Sequence, residues 1–198
     1  GVSGTGSPAA STPAQDSGRV PGVHTAEVHL VGRRRGERQW ELRAERIDLP
    51  QARRQVVFSR VSRGVLYREG RTFLLFDGDG GRYDEKTGGL VLDGGVTLRD
   101  PGGGVLVSSD LVWDAGRQVL FSEAPTTLSR GSSVVRAARM EVDVKAGVVR
   151  LSGGVRAEDP QAGGLTVQAA GAEYVPDTGE IRLAGPARLE VSPPPPDG

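Results

Sequence analysis

The sequence contains no cysteine and no asparagine, and it has only two lysines and two histidines among its 198 residues. Without cysteine the chain can form no disulfide bond, no thiolate metal site and no cysteine nucleophile. No stretch approaches the roughly 18 apolar residues that a membrane-spanning helix requires. The net charge of zero argues against a general nucleic-acid-binding protein, because such proteins carry a basic excess. We therefore expect no nucleic-acid partner.

Groups that carry catalysis are equally scarce. His24 and His29 alternate with apolar residues at an odd spacing, which places them on opposite faces of a strand and suggests ordinary strand positions. No serine has the Gly-x-Ser-x-Gly context of a hydrolase nucleophile. The Asp/Gly run at residues 77–81 resembles a calcium loop only superficially, and we interpret it as a tight turn. We expect no enzyme activity, no cofactor and no metal.

Glycine and proline, by contrast, are abundant, with 30 and 13 residues. Residues 1–22 are small and polar and contain three prolines, which predicts a flexible tether. Residues 192–198 include four consecutive prolines and cannot continue a sheet, so we expect a disordered Pro-rich tail. The folded domain is therefore predicted to span residues 23–191.

Apolar residues within that span recur with a period of two, as in half-buried strands. The alternation is clearest at residues 90–98, 149–155 and 181–191. The one candidate helix is at residues 40–47. Short strands separated by Gly- and Asp-rich turns predict an all-β fold.

The strands belong to an internal repeat of about 30 residues. Tyr83, Trp113, Val142 and Tyr174 are spaced 30, 29 and 32 residues apart, and Asp48 marks a degenerate first unit. A mostly small residue lies four positions before each anchor and another lies eleven positions after it: Ala44, Asp79, Ser109, Ala138 and Ala170, then Ser59, Gly94, Ala124, Gly153 and Gly185. Five such units must stack edge to edge to bury their apolar faces. The small residues then form a line along which the sheet bends into a trough.

Charge is distributed unevenly along the chain. Residues 19–71 contain 13 arginines and 6 acidic residues, whereas residues 72–198 contain 12 basic and 18 acidic residues. The densest basic cluster, Arg33, Arg34, Arg35 and Arg38, is best interpreted as a solvated hairpin turn. The alternative is contact with the phosphates of a lipid, because guanidinium groups bind phosphate well.

Several segments resemble the LptC family of lipopolysaccharide-transport proteins. They are Gly36-x-x-x-Trp40-x-Leu42-x-Ala44, Asp110-Leu111-x-Trp113-Asp114, Ala124-Pro125-x-x-Leu128 and Met140-Glu141-Val142-Asp143. The alternating unit at residues 90–98, repeated at 149–157 and 181–189, is similar to the OstA-like repeat that LptC shares with LptA and the N-terminal domain of LptD.

The resemblance implies a twisted antiparallel β-jellyroll, shaped like a taco, with an open hydrophobic trough. It implies a periplasmic protein that receives lipopolysaccharide from an inner-membrane ABC transporter and passes it to an LptA-like protein by edge-strand addition, towards the outer membrane. It also implies a tether to the inner membrane, which we expect to precede Gly1.

Two sets of residues follow as candidate sites. The predicted lipid-binding trough consists of Leu90, Leu92, Val96, Leu98, Leu111, Val149, Leu151, Val155, Ile181, Leu183 and Leu189. The predicted partner-binding edge strand presents Ile181, Leu183, Ala187, Leu189 and Val191. Two alternatives remain: a structural, self-assembling β-repeat scaffold with a packed interior, and, ranked last, a carbohydrate-binding or hydrolytic β-sandwich.

Overall fold

The computed structural model describes residues 24–48 and 54–191. Within them, thirteen antiparallel strands form one sheet, and the helical structure is a single 3-10 turn, Pro160–Ala162. The predicted tether at 1–22 and the predicted tail at 192–198 lie outside the described residues. The strands are β1 (His24–Arg34), β2 (Glu37–Asp48), β3 (Gln55–Arg68), β4 (Arg71–Asp84), β5 (Leu90–Arg99), β6 (Val105–Ser108), β7 (Leu111–Asp114), β8 (Val119–Ser122), β9 (Thr126–Arg130), β10 (Ser133–Asp143), β11 (Val148–Asp159), β12 (Leu165–Val175) and β13 (Glu180–Val191).

The sheet divides in its centre and rejoins. Its order is β1-β2-β3-β4-β5-β6-β9-β10-β11-β12-β13, with β7 and β8 forming a second path between β5 and β10. One end of β5 pairs with β6 while its other end pairs with β7, and β10 divides between β9 and β8 in the same way. Within the described residues, β1 and β13 each pair with one strand, so they form the two edges.

Each long strand therefore contributes to two half-sheets that share the same covalent chain. Half-sheet 1 comprises residues 28–34, 37–43, 63–68, 71–78, 96–99, 105–108, 126–130, 133–137, 155–159, 165–169 and 187–191. Half-sheet 2 comprises residues 24–27, 45–48, 55–59, 80–84, 90–93, 111–114, 119–122, 140–143, 148–152, 171–175 and 180–184.

The two half-sheets fold over onto each other. Arg34 lies at the outer end of half-sheet 1 and Gly116 follows the outer end of half-sheet 2. A strand of 11 residues extends about 36 Å at 3.3 Å per residue. Nevertheless, Arg34 Nη1 lies 3.3 Å from the carbonyl oxygen of Gly116. Only a sheet bent back on itself brings these ends together, and this bend makes the jellyroll.

The bend occurs where the repeat predicts it. Register shifts fall between Arg43 and Glu45, between Gly78 and Gly80, between Ala137 and Arg139, and between Ala169 and Gly171. These positions bracket Ala44, Asp79, Ala138 and Ala170, four of the mostly small residues that precede the anchors. We call this row of irregularities the fold line.

The two small residues of a unit lie on adjacent strands and approach each other along the fold line. A Cβ placed on Gly153 would lie 2.8 Å from the Cβ of Ala138, and Gly185 faces Ala170 in the same way at 3.0 Å. Gly153 also has a φ of +81°, a conformation that disfavours other residues. Glycine is thus required here for both its backbone angle and the close approach of the neighbouring strand.

The turns that follow the anchor within each unit have the predicted chemistry. The Asp84 carboxylate accepts hydrogen bonds from the amides of Lys86 and Thr87, and Asp114 and Asp143 accept from Arg117 and Ala146. Such Asx turns provide hydrogen-bond acceptors for backbone amides that have no partner strand in the turn.

Two local predictions are wrong. Residues 40–47 are not helical but lie in β2, because the inward Trp40, Leu42 and Ala44 alternate with period two. The Asp/Gly run at 77–81 is not a turn but the part of β4 that crosses the fold line. At this place the small residues allow neighbouring strands to approach each other closely, and they do not reverse the direction of the chain.

Candidate functional site

The interior between the half-sheets contains most of the predicted trough residues. Eight of them have exposures of at most 3%, and all eight belong to one continuous apolar cluster. They are Leu90, Leu92, Val96, Leu98, Leu111, Val149, Leu151 and Val155. These eight side chains thus lie on the inward face of their strands, in contact with one another and with the rest of the cluster.

The last strand differs because it has a neighbour on one side only. Ile181 is half-buried and packs against the apolar cluster, while Ala187 is exposed. Leu183, Leu189 and Val191 are 38%, 62% and 66% exposed. The three predicted trough residues of β13 therefore lie at the end of the interior rather than within it, and the strand presents an uncovered apolar row.

The same cluster includes a group of large side chains that the sequence analysis missed. It extends from Trp40 in β2 to Tyr174 in β12, so it runs through the whole series of repeats. The missed residues come mainly from the first units: Trp40, Phe58, Leu66, Phe73, Leu74 and Phe76. In β3 and β4, consecutive residues such as Leu66 and Tyr67 interrupt the alternation at register shifts, which obscured the inward face.

Opposite the fold line, the outer ends of the half-sheets meet along a second row of contacts, which we call the seam. Arginines of half-sheet 1 make these contacts. Arg34 Nη1 donates to the carbonyl of Gly116 at 3.3 Å, and Arg68 Nε donates to the carbonyl of Val144 at 3.0 Å. Arg130 Nη1 donates to the hydroxyl of Tyr174 at 2.9 Å. The predicted hairpin turn at Arg35 and Gly36 is present, but Arg34 beside it contacts the opposite half-sheet rather than solvent alone.

The Arg130 contact is part of a buried polar cluster. The Tyr174 hydroxyl donates to the carboxylate of Asp100, which also accepts from the amides of Gly102 at 2.7 Å and Gly104 at 3.1 Å. Burial and the hydrogen bond to Asp100 raise the pKa of Tyr174 to about 12. The cluster joins the β5–β6 turn of half-sheet 1 to β12 of half-sheet 2.

The described part of the chain offers little for other kinds of site. In residues 24–48 and 54–191, no group of three or more His, Asp or Glu side chains is arranged to hold a metal ion. The same residues include no helix that is long and apolar enough to cross a membrane.

Bent strands, a repeated fold line and an apolar interior define this chain as a repeat-built β-jellyroll. Among protein families, the profile described as "Lipopolysaccharide-assembly, LptC-related" matches residues 29–160. The chain belongs to this LptC-related family, which associates it with lipopolysaccharide transport.

Two further comparisons accompany the family match. Among solved structures, the chain is similar to LptH, the LptA homologous periplasmic component of the lipopolysaccharide transport device from Pseudomonas aeruginosa. The two share 14% sequence identity with a TM-score of 0.46, over 61% of this chain and 95% of that chain. A comparison with curated proteins gives no match.

Proposed function

We propose that this protein is a periplasmic lipid conduit that receives lipopolysaccharide from an inner-membrane ABC transporter and passes it towards the outer membrane. The observation that carries the proposal is the apolar interior, which is continuous from β2 to β12. Membership in the LptC-related family supports the same role. An acyl chain in water costs about 0.8 kcal/mol per CH₂, so a carrier must cover the chain throughout its transfer.

The interior accepts acyl chains only if the half-sheets separate. Leu92, Leu111 and Leu151 are buried against other side chains, so lipid must replace these contacts rather than enter an empty space. Separation at the fold line would break continuous strands, whereas separation at the seam breaks a few side-chain hydrogen bonds. We infer that lipid enters through the seam, with its sugars remaining in water.

Transfer to the next component uses the edge strand β13. Its backbone pairs with β12 alone among the described residues, and an unpaired edge can accept a strand from another protein. The exposed Leu183, Leu189 and Val191 would continue the apolar interior into an LptA-like partner. In this proposal the basic N-terminal end lies near the inner membrane, and a tether preceding Gly1 holds it there.

One observation favours a different function. The interior side chains fill the space between the half-sheets, as in a protein with a permanent core. The alternative is therefore a structural, self-assembling β-repeat scaffold that carries no lipid and uses β1 and β13 to polymerise.

Photo-crosslinking distinguishes these functions. A benzophenone amino acid is placed at Leu92, Leu151 or the half-buried Ile181, and the full chain is expressed in cells that make lipopolysaccharide. Matched control positions are Val91 and Val112, which neighbour the interior residues but point outward and pair with each other. We expect lipopolysaccharide adducts at the interior positions and none at the controls.

The opposite results support the scaffold. Adducts that form only at Val91 and Val112, or no adducts in variants whose circular dichroism shows a folded sheet, contradict the conduit. The Ile181 position keeps the test valid if a bulky probe at Leu92 prevents folding, because Ile181 lies at the end of the interior. A probe at Leu189 tests docking separately, through capture of an LptA-like protein.

A further inference from the structure

A small pocket opens at the seam near the first edge of the sheet. Its volume is about 280 Å³, and it lies between the β1–β2 hairpin of half-sheet 1 and the turns after β4 and β7 of half-sheet 2. Its lining includes Trp40, Tyr83 and Trp113 on the inside and Arg33 and Arg34 at the hairpin. We call it the tryptophan port.

The aromatic wall of the port is held rigidly. Trp40 and Trp113 are buried, and the Trp40 ring meets Tyr83 edge to face with centroids 5.5 Å apart. Gly32 makes room for the indole, because a Cβ at this position would lie 2.3 Å from the ring of Trp40. Rigid aromatic side chains give a ligand a large apolar surface at little entropic cost.

The charge of the port is unbalanced. Among the described lining residues none is acidic, and within the described residues neither Arg33 nor Arg34 forms an ion pair. Arg34 donates across the seam to a neutral carbonyl, that of Gly116. By contrast, Arg130 at the same seam lies 3.7 Å from the Asp100 carboxylate. An anion at the port would therefore give Arg33 and Arg34 the negative partner that the described residues of the protein do not supply.

We propose that the tryptophan port binds the phosphate end of a phosphorylated acyl amphiphile as it enters the seam. Arg33 and Arg34 hold the phosphate, since guanidinium groups donate two hydrogen bonds in the geometry that phosphate accepts. Arg34 gives up its bond to Gly116 in doing so, and the first part of the acyl chain contacts Trp40 and Trp113. This inference rests on the proposed function and specifies where the lipid is first held.

The chain provides its own probe for this site. Trp40 and Trp113 are the only two tryptophans in the sequence, and both line the port. We would titrate the full chain with dodecyl phosphate below its micelle concentration and follow tryptophan fluorescence. Dodecyl maltoside, which is neutral, and inorganic phosphate, which has no chain, are the comparison ligands. We expect a saturable change with dodecyl phosphate alone.

Two substitutions test the role of Arg34. Arg34→Gln removes a charge-assisted hydrogen bond, so we expect dodecyl phosphate to bind about tenfold more weakly. Arg35→Gln is the matched control, because Arg35 lies on the exposed tip of the same hairpin. This substitution removes the same charge. We expect its affinity to change less than twofold.

Each comparison can overturn the proposal. An equal response to inorganic phosphate means a free-anion site, an equal response to dodecyl maltoside means an apolar pocket only, and equal losses in both variants mean diffuse electrostatics. The Leu92 crosslink separates this test from the proposed function. If lipopolysaccharide crosslinks at Leu92 but dodecyl phosphate leaves the fluorescence unchanged, the conduit stands and the port is refuted.

Discussion

The two long sides of this jellyroll are closed by different means. At the fold line the backbone itself passes from one half-sheet to the other, and small residues such as Ala138 and Gly153 let adjacent strands approach closely. At the seam the chain does not cross, and side chains such as Arg34, Arg68 and Arg130 bridge the gap. The half-sheets are therefore joined by continuous backbone on one side and by side-chain contacts on the other.

This difference matters for a protein that must admit a large apolar ligand. A hydrogen bond of the seam contributes about 1 kcal/mol, whereas loss of a fold-line strand would sacrifice many backbone bonds and much buried apolar surface. Arginine suits the seam because its long side chain spans the gap and keeps its charge when the contact opens. The comparison predicts large effects of substitutions at the fold line and smaller, additive effects at the seam.

The largest effect is expected at the fold line. Gly153→Val introduces strain at positive φ and a collision with Ala138, and it should lower the free energy of unfolding by about 4 kcal/mol. Gly154→Val is the control, because Gly154 also has a positive φ but has open space around it. We expect it to lower the free energy of unfolding by about 2 kcal/mol. Urea unfolding measures both, and equal losses would show that close strand approach is unimportant.

An intermediate effect is expected in the buried cluster of the seam. Tyr174→Phe deprives the buried Asp100 carboxylate of a donor and should cost about 2 kcal/mol at neutral pH. The pKa of Tyr174 is raised to about 12, whereas an unfolded tyrosine titrates near 10. A raised pKa stabilises the fold fully below about pH 10, and this contribution is lost as the pH rises towards 12.

The difference in unfolding free energy between the unsubstituted protein and Tyr174→Phe should therefore narrow across that alkaline range. Chemical unfolding of both proteins at several alkaline pH values measures it. Parallel curves would contradict the assigned role of the Tyr174 hydroxyl.

The smallest effect is expected for Arg68. Arg68→Ala removes hydrogen bonds to the carbonyls of Val144 and Lys145. It should lower the free energy of unfolding by about 1 kcal/mol. Arg38→Ala is the matched control, since Arg38 contacts Tyr67 and Glu41 within half-sheet 1 and does not bridge the seam. Its loss should cost about 0.5 kcal/mol.

Hydrogen exchange distinguishes the roles of Arg68 and Arg38 more clearly than the free energy of unfolding does. Amides of the turn at residues 144–147 should exchange faster in Arg68→Ala and at an unchanged rate in Arg38→Ala. Equal acceleration in both variants would mean that the seam is held by general packing rather than by Arg68.

The inward face and the bend were predictable because both depend on local spacing. Buried apolar residues such as Leu90, Leu92 and Leu151 recur with a period of two, and the pairing of Ala138 with Gly153 repeats in the next unit at Ala170 and Gly185. The first units were harder to interpret, since Phe73 and Leu74 are both buried and break the alternation. Leu183 and Leu189 were predicted both as trough residues, from an alternation that matches buried strands, and as edge-strand residues; their exposure of 38% and 62% follows from the edge position.

The sequence by itself determined an all-β repeat, its inward face and its fold line, because alternation and small-residue spacing act between neighbouring strands. The tertiary structure alone decided which turns meet at the seam. Arg34 and Gly116 are separated by 82 residues, and nothing local distinguishes Arg34 from Arg35. Only the bend and twist of the whole sheet bring that guanidinium to its carbonyl, and bring both tryptophans of the chain into one pocket.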